Sequence, residues 1–288
     1  PARARRPPAG DADDAEAAED PGGDRTSTRG VPDHWTAARI GRSAWRRFSM
    51  KHAGDRWRLK LLMNGLDPPL TEAGMELYCE WLRERLAEFK EEHGALALRR
   101  CHGEVDFSSS GLGNQALWAL LKTLAHYEVN IAILKLYKNR ISEDGVLALC
   151  EFIKNNRRAG AIREIHLSHN ELSEEAVCEL LRTLHGQKSR YPPRRPADDS
   201  EGGEFVPVWI RFNNNRVREP AALVRSLQAE GIMTCPGRST HGCSPTKCTR
   251  PECPLVHLYL FGDQDPAGGS GGADGSAACS PGGRRGRR

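Results

Sequence analysis

One pattern returns four times along the chain and constrains its fold more than any other feature. Val105-Asp-Phe107-Ser-Ser-Ser110-Gly-Leu112 aligns with Leu134-Lys-Leu136-Tyr-Lys-Asn139-Arg-Ile141. The frame comes back at Ile165-His-Leu167-Ser-His-Asn170-Glu-Leu172 and at Ile210-Arg-Phe212-Asn-Asn-Asn215-Arg-Val217. The copies start 29, 31 and 45 residues apart and share the form L-x-L-x-x-N-x-L, with Ser110 standing in for Asn in the first. Self-similarity at such a period marks stacked supersecondary units, none of which can bury its apolar face alone.

Each position in the frame has a physical reading. The first two apolar residues alternate on a short strand and face the core. The Asn that follows can bond the otherwise bare backbone of the turn, so stacked copies predict a ladder of side-chain hydrogen bonds. Helices are expected next, at 116–124, 145–153, 176–184 and 221–227, with Ser142 and Ser173 as N-caps and acids in the first turn. A small residue opens each helix (Ala116, Gly145, Ala176, Ala221), which lets helix and strand approach closely. With strand, Asn turn and full helix in each unit, the array resembles the ribonuclease-inhibitor-like class of leucine-rich repeat proteins. The resemblance implies an α/β solenoid, a horseshoe of about four repeats.

Strand residues that alternate with the core positions line the concave side of such an array. They are Asp106, Ser108 and Ser109, then Lys135, Tyr137 and Lys138, then His166, Ser168 and His169, then Arg211, Asn213 and Asn214. Stacking puts Lys135, His166 and Arg211 in one row and Lys138, His169 and Asn214 in another. Concave faces of solenoids are their usual binding surfaces, so Lys135, Tyr137, Lys138, His166, His169, Arg211 and Asn213 are the candidate partner-binding residues. A basic, hydrogen-bonding face suits an acidic protein or RNA.

The rest of the chain divides by composition. Residues 1–33 and the Gly/Arg tail 263–288 carry almost no large apolar side chain and are expected to be disordered. Residues 34–67 form a basic segment with interleaved aromatics: Arg39, Arg42, Arg46, Arg47, Lys51, Arg56, Arg58 and Lys60 stand against Asp55, among Trp35, Trp45, Phe48 and Trp57. Such a segment can clamp phosphates, or pack its aromatics and solvate its charges. Within 68–100, helical spacing over Thr71–His93 predicts a helix that caps the array's first edge. The repeats occupy 101–234, interrupted by an insertion at 186–204 whose SRYPPRRPADDSEGGE run has the composition of a flexible loop. The net charge of +4 is too small to demand a nucleic-acid partner by itself.

Behind the repeats, within 235–262, come Cys235, Cys243, Cys248, Cys253 and His257. Thiolate and imidazole are preferred zinc ligands, and no secretory leader is read at the start, so reduced, metal-bound cysteines in an intracellular, cytoplasmic or nuclear setting are expected. Cys253-x3-His257 would bring both side chains to one ion from a single helical turn. Cys243-x4-Cys248-x4-Cys253-x3-His257 resembles a CCCH-type zinc finger, and Cys235-x12-Cys248-x4-Cys253-x3-His257 is a second allowed reading. The first has the shorter loops and is favoured. The family's first two spacers are longer than those here, and no aromatic lies between Cys243 and His257 for base stacking. Cys79, Cys150 and Cys178 read as small buried apolar residues on helices.

No nucleophile elbow, phosphate-binding loop or H-E-x-x-H occurs, and His102-Gly-Glu104 lacks the P-C-x-x-C that zinc deaminase chemistry requires. No apolar run approaches the roughly 20 residues needed to span a bilayer. Over about residues 68–262 the chain is similar to a group of leucine-rich repeat proteins that end in a CCCH-type element. The expectation is a non-catalytic, zinc-binding interaction module with no small-molecule substrate and no membrane partner. It would bind a protein through its concave face; the alternative is an RNA-binding protein that uses the finger and its basic surfaces.

Overall fold

The structure, a computed structural model, describes residues 34–54, 56–194, 205–235, 254–258 and 261. The expected disorder of 1–33 and 263–288, most of the insertion, and Cys243, Cys248 and Cys253 lie outside these residues.

Every apolar pair of the repeat frame sits on or beside a strand that adds to one sheet. The described strands are β1 (Phe48–Ala53), β2 (Arg56–Leu62), β3 (His102–Asp106), β4 (Ile131–Lys135), β5 (Glu164–His166), β6 (Val208–Arg211), β7 (Thr234–Cys235) and β8 (Val256–Leu258). They form a single eight-stranded sheet in the order β1-β2-β3-β4-β5-β6-β8-β7. The β1–β2 pair is antiparallel and all the others are parallel. Leu61, Val105, Leu134, Ile165, Ile210 and Leu258 line up in register across six strands, each fully buried. That row is the spine of the core.

Seven helices are described: α1 (Ala37–Arg47), α2 (Glu72–His93), α3 (Ala95–Arg100), α4 (Asn114–His126), α5 (Glu143–Asn155), α6 (Glu174–Gly186) and α7 (Pro220–Ala229). They pack in sequence order, α1 on α2, α2 on α4, α4 on α5, α5 on α6 and α6 on α7. The protein is therefore a mixed α/β fold with one sheet and one layer of successive helices. Among the described residues no helix is long and apolar enough to cross a membrane.

The turn ladder forms as the frame predicts. Asn139 Oδ1 accepts from the backbone of Ser110 and Leu112, while its amide donates to the carbonyls of Phe107 and Leu136. Asn170 and Asn215 repeat the arrangement one and two strands on. Ser110, which replaces the first Asn, donates to Met63 O at 2.5 Å. The residue before each of these four is left-handed: Ser109, Lys138, His169 and Asn214 have φ of 54, 55, 55 and 58°. That repeated kink turns the chain from strand toward helix. Close strand contact is enforced at Gly103, where a Cβ would stand 2.5 Å from Asn130 O.

Four details depart from the expectations. Ser173 caps α6 by accepting from the Ala176 amide, but Ser142 makes no cap bond and instead accepts from the Asn114 side chain at 2.8 Å. Ala221 is exposed, and among the described residues no helix follows α7 to cover it. The insertion's first residues are anchored. Tyr191 is buried and accepts from the Ile162 amide at 3.1 Å, while Arg190 donates to the last carbonyls of α5. Composition hid one aromatic anchor among prolines and arginines.

The fourth departure is the first edge of the sheet. The sequence reading closes it with the helix at Thr71–His93, yet α2 sits inside the helix layer, between α1 and α4. The basic segment continues the sheet instead. Leu59, Leu61 and Met63 alternate inward and are fully buried, while Arg58 and Lys60 face solvent. Gly54, at φ +67°, opens the tight turn that folds β1 back on β2. Trp35 and Ile40 of the α1 region are buried beside α2, whereas Trp45 stays 64% exposed.

Candidate functional site

Side chains that alternate with the buried spine emerge on the sheet's other face, in two registered rows. The first runs Lys60, Glu104, Ile133, Glu164, Trp209, His257, Cys235 from the first strands of the sheet to its last edge. The second runs Asp106, Lys135, His166, Arg211. The expected alignment of Lys135, His166 and Arg211 is thus observed as strand register.

The basic character expected of this face is not. Glu104 takes Lys135 at 2.6 Å on one oxygen and Lys60 at 3.3 Å on the other. Burial works to raise the Glu104 carboxyl, but the hydrogen bond and charge of Lys135, and then of Lys60, outweigh it and hold the group below the ordinary carboxylate range. Lys135 responds in kind: burial lowers its ammonium, Glu104 more than restores it, and the net shift is upward. Glu164 stands 3.4 Å from His166, which is buried, and Asp106 accepts from the backbone of Ser108. The face is a mosaic of alternating charge.

The sequence reading did not place Glu104 and Glu164 on this face because the repeat frame was counted from its first apolar residue, nor Lys60 because β2 carries no copy of the frame. Period-two parity assigns the residue just before that position to the open face as well. The remaining candidates lie at the turn ends of the strands. Tyr137 is half-buried, Lys138 and His169 are exposed, and the Asn214 amide stands 2.9 Å from His169 Nε2. Asn213 is half-buried beside them, and its Oδ1 has no hydrogen-bond partner among the described residues.

At the other end of the first row, β7 and β8 bring two candidate metal ligands together. Cys235 and His257 are registered partners on adjacent parallel strands, so both side chains leave the sheet on the same face about 5 Å apart at the backbone. Both are buried, at 1% and 0% exposure. Trp209 stacks on the His257 ring with centroids 4.2 Å apart and planes 15° from parallel, which fixes the imidazole's orientation. Because His257 lies on a strand, the one-turn-of-helix geometry expected for Cys253 and His257 does not apply. Thiolate and imidazole held in this way fit a zinc ion. Among the described residues no cluster of three or more potential ligands occurs.

The other described cysteines are Cys79, Cys101, Cys150 and Cys178. Burial pushes the Cys101 thiol up to about 12, against a hydrogen bond to Asn130 O. Cys79, Cys150 and Cys178 are also raised, in each case chiefly by burial. Such thiols are poor ligands and inert packing groups. His102 and Glu104, the H-x-E pair of the sequence, part company: Glu104 is held by two lysines, and His102 meets Arg163 at 2.7 Å.

Comparison with protein-family models finds no match to the chain, and comparison with curated proteins finds none.

Proposed function

We propose that the chain is a leucine-rich repeat solenoid whose last edge is closed by zinc, and that it works as a non-catalytic adaptor binding a protein on its open sheet face. The parallel strands in sequence order, the helix layer and the Asn ladder support the solenoid reading. In this reading the ion is structural, and its ligands are Cys235, Cys248, Cys253 and His257. The registered pairing of Cys235 with His257 favours this quartet over the one that begins at Cys243. Thiolate ligation of this kind suits a reducing, intracellular setting.

The single observation that carries the adaptor reading is the mosaic face itself. Lys60, Glu104, Lys135 and Glu164 alternate in sign across neighbouring strands, and Tyr137, Lys138 and His169 stand at its rim. Alternating charge selects a partner by complementarity, with wrong partners rejected by like charge.

RNA binding is the second reading. Its support is α1, where exposed Trp45 shares the helix with exposed Arg42 and Arg46, an aromatic among cations of the kind that single-stranded nucleic acid uses. In-cell crosslinking with the full chain separates the two. The adaptor reading expects protein partners that are lost with Tyr137→Ala plus His169→Ala and kept with Trp45→Ala. Partners lost on nuclease treatment and with Trp45→Ala, but kept by the face variant, would overturn it in favour of RNA.

A further inference from the structure

Along the edge where β2 to β5 begin lies a cleft of about 470 Å³ that the adaptor reading leaves unused. Six arginines line it: Arg56, Arg100, Arg157, Arg163, Arg190 and Arg194. They arrive from separate places in the fold. Arg56 opens β2, Arg100 ends α3, Arg157 follows α5, Arg163 precedes β5, and Arg190 and Arg194 belong to the start of the insertion. No carboxylate is among the lining residues, and Arg100, Arg157, Arg163, Arg190 and Arg194 form no ion pair among the described residues. The sequence neighbours Arg99 and Arg158, by contrast, both pair with Glu128.

Concentrating guanidiniums in a cleft with no carboxylate in its lining has a cost that the neighbouring groups register. Burial, and then Arg163, Arg58 and Arg56, push the His102 imidazole below its ordinary range. Burial and Arg56 likewise depress Arg163, against the pull of Glu164. The half-buried Arg163 guanidinium points at the His102 ring, and exposed Arg100 and Arg157 stand at the rim. An anion entering the cleft would relieve this mutual repulsion.

We propose that this cleft binds a compact ligand bearing several phosphate groups, such as an inositol polyphosphate or an oligophosphate chain. Three features select that class. Phosphates bring up to two charges each and accept the forked, bidentate bonds that guanidinium offers. The volume is that of a small-molecule site. The lining includes no Trp, Tyr or Phe, whereas a site for single-stranded nucleic acid needs aromatic platforms for its bases. The proposal stands apart from the zinc and adaptor readings, since none of these residues is a candidate metal ligand or a face residue.

The test is titration calorimetry of the full chain with inositol hexakisphosphate, tripolyphosphate and, as a third arm, single-stranded RNA, all at about 0.15 M salt so that weak surface attraction is screened. Saturable binding of a polyphosphate at one site per chain is expected. Arg100→Glu with Arg157→Glu, both exposed and therefore safe for folding, should weaken it at least about tenfold because two charge-assisted contacts become repulsions. Arg163→Gln should weaken it too. Lys122→Glu with Arg225→Glu removes the same net charge from α4 and α7 and should bind like the wild type. Failure of both polyphosphates to bind at about millimolar concentration would overturn the proposal. So would equal weakening by the α4/α7 control, which would mean diffuse charge attraction, or RNA binding through Arg100 and Arg157 that neither polyphosphate displaces.

Discussion

The two ends of the sheet are closed by different means. At the first edge, the β1–β2 hairpin is covered by α1 and α2 with aromatic side chains: Phe48 meets Trp81 edge-on at 5.5 Å, and Trp57 meets Phe89 at 4.9 Å. Tyr78 lies fully buried beneath them against Phe107. At the last edge the described strands are short, β7 with two residues and β8 with three; α7 packs on β7, and Trp209 stacks on His257. A long hairpin with five or six large side chains can close a sheet by burial alone. The described part of the last edge adds a buried thiol and imidazole, Cys235 and His257, to the aromatics Trp209, Phe212 and Phe261. On the reading proposed above, apolar mass at one edge and metal ligation at the other would be alternative solutions to one problem, the exposed end of the sheet.

The comparison is most easily broken by chelation. Removing zinc from the full chain should abolish amide protection in β6, β7 and β8 while leaving β2 to β4 protected, as read by hydrogen exchange; equal loss at both ends, or none, would contradict it. Next in size is Tyr78→Ala, which opens a cavity under the hairpin and should cost about 3–5 kcal/mol in urea unfolding, with or without chelator. Asn170→Ala acts between the ends. It strands the Ile141 amide and the Leu136 and Leu167 carbonyls, and should cost about 2–3 kcal/mol. Thr71→Ala removes the N-cap that accepts from Gly74 at 3.0 Å and should cost about 1 kcal/mol.

The smallest effect sharpens the picture of the open face. Because the folded Glu104 carboxyl is held below its unfolded value, the stability it contributes is fully present above the unfolded pKa of about 4.3 and is lost as pH falls through the folded one. Glu104→Gln should therefore lower the urea midpoint at pH 6, with the gap to the wild type closing as the pH is taken toward about 3. A gap independent of pH would mean that Glu104 acts by packing rather than by charge.

How much of this was legible beforehand depends on the kind of signal. The repeat frame predicted strands, helices and the Asn139, Asn170 and Asn215 ladder, because each follows from residues fixed within eight positions. The hairpin was missed although its signal was present: Trp57, Leu59, Leu61 and Met63 alternate with Arg58, Lys60 and Leu62, but the charge run drew attention first. The Cys235–His257 pairing was legible only as the second of two ligand sets, and spacing favoured the other. The two residues lie 22 apart with three other candidate ligands between or beside them, and only strand register brings them together. The arginine cleft was hidden, since its six members come from four separate connections.

The central claim is that His257 and its register partner Cys235 share one metal ion, and zinc K-edge absorption on the purified full chain tests it most directly. The account predicts one zinc per chain with three sulfur neighbours at about 2.3 Å and one nitrogen at about 2.0–2.1 Å. It further predicts that Cys235→Ser loses the metal or drops to two sulfurs, while Cys243→Ser leaves the spectrum unchanged. A chain without zinc, or a three-sulfur site untouched by Cys235→Ser and lost with Cys243→Ser, would contradict it.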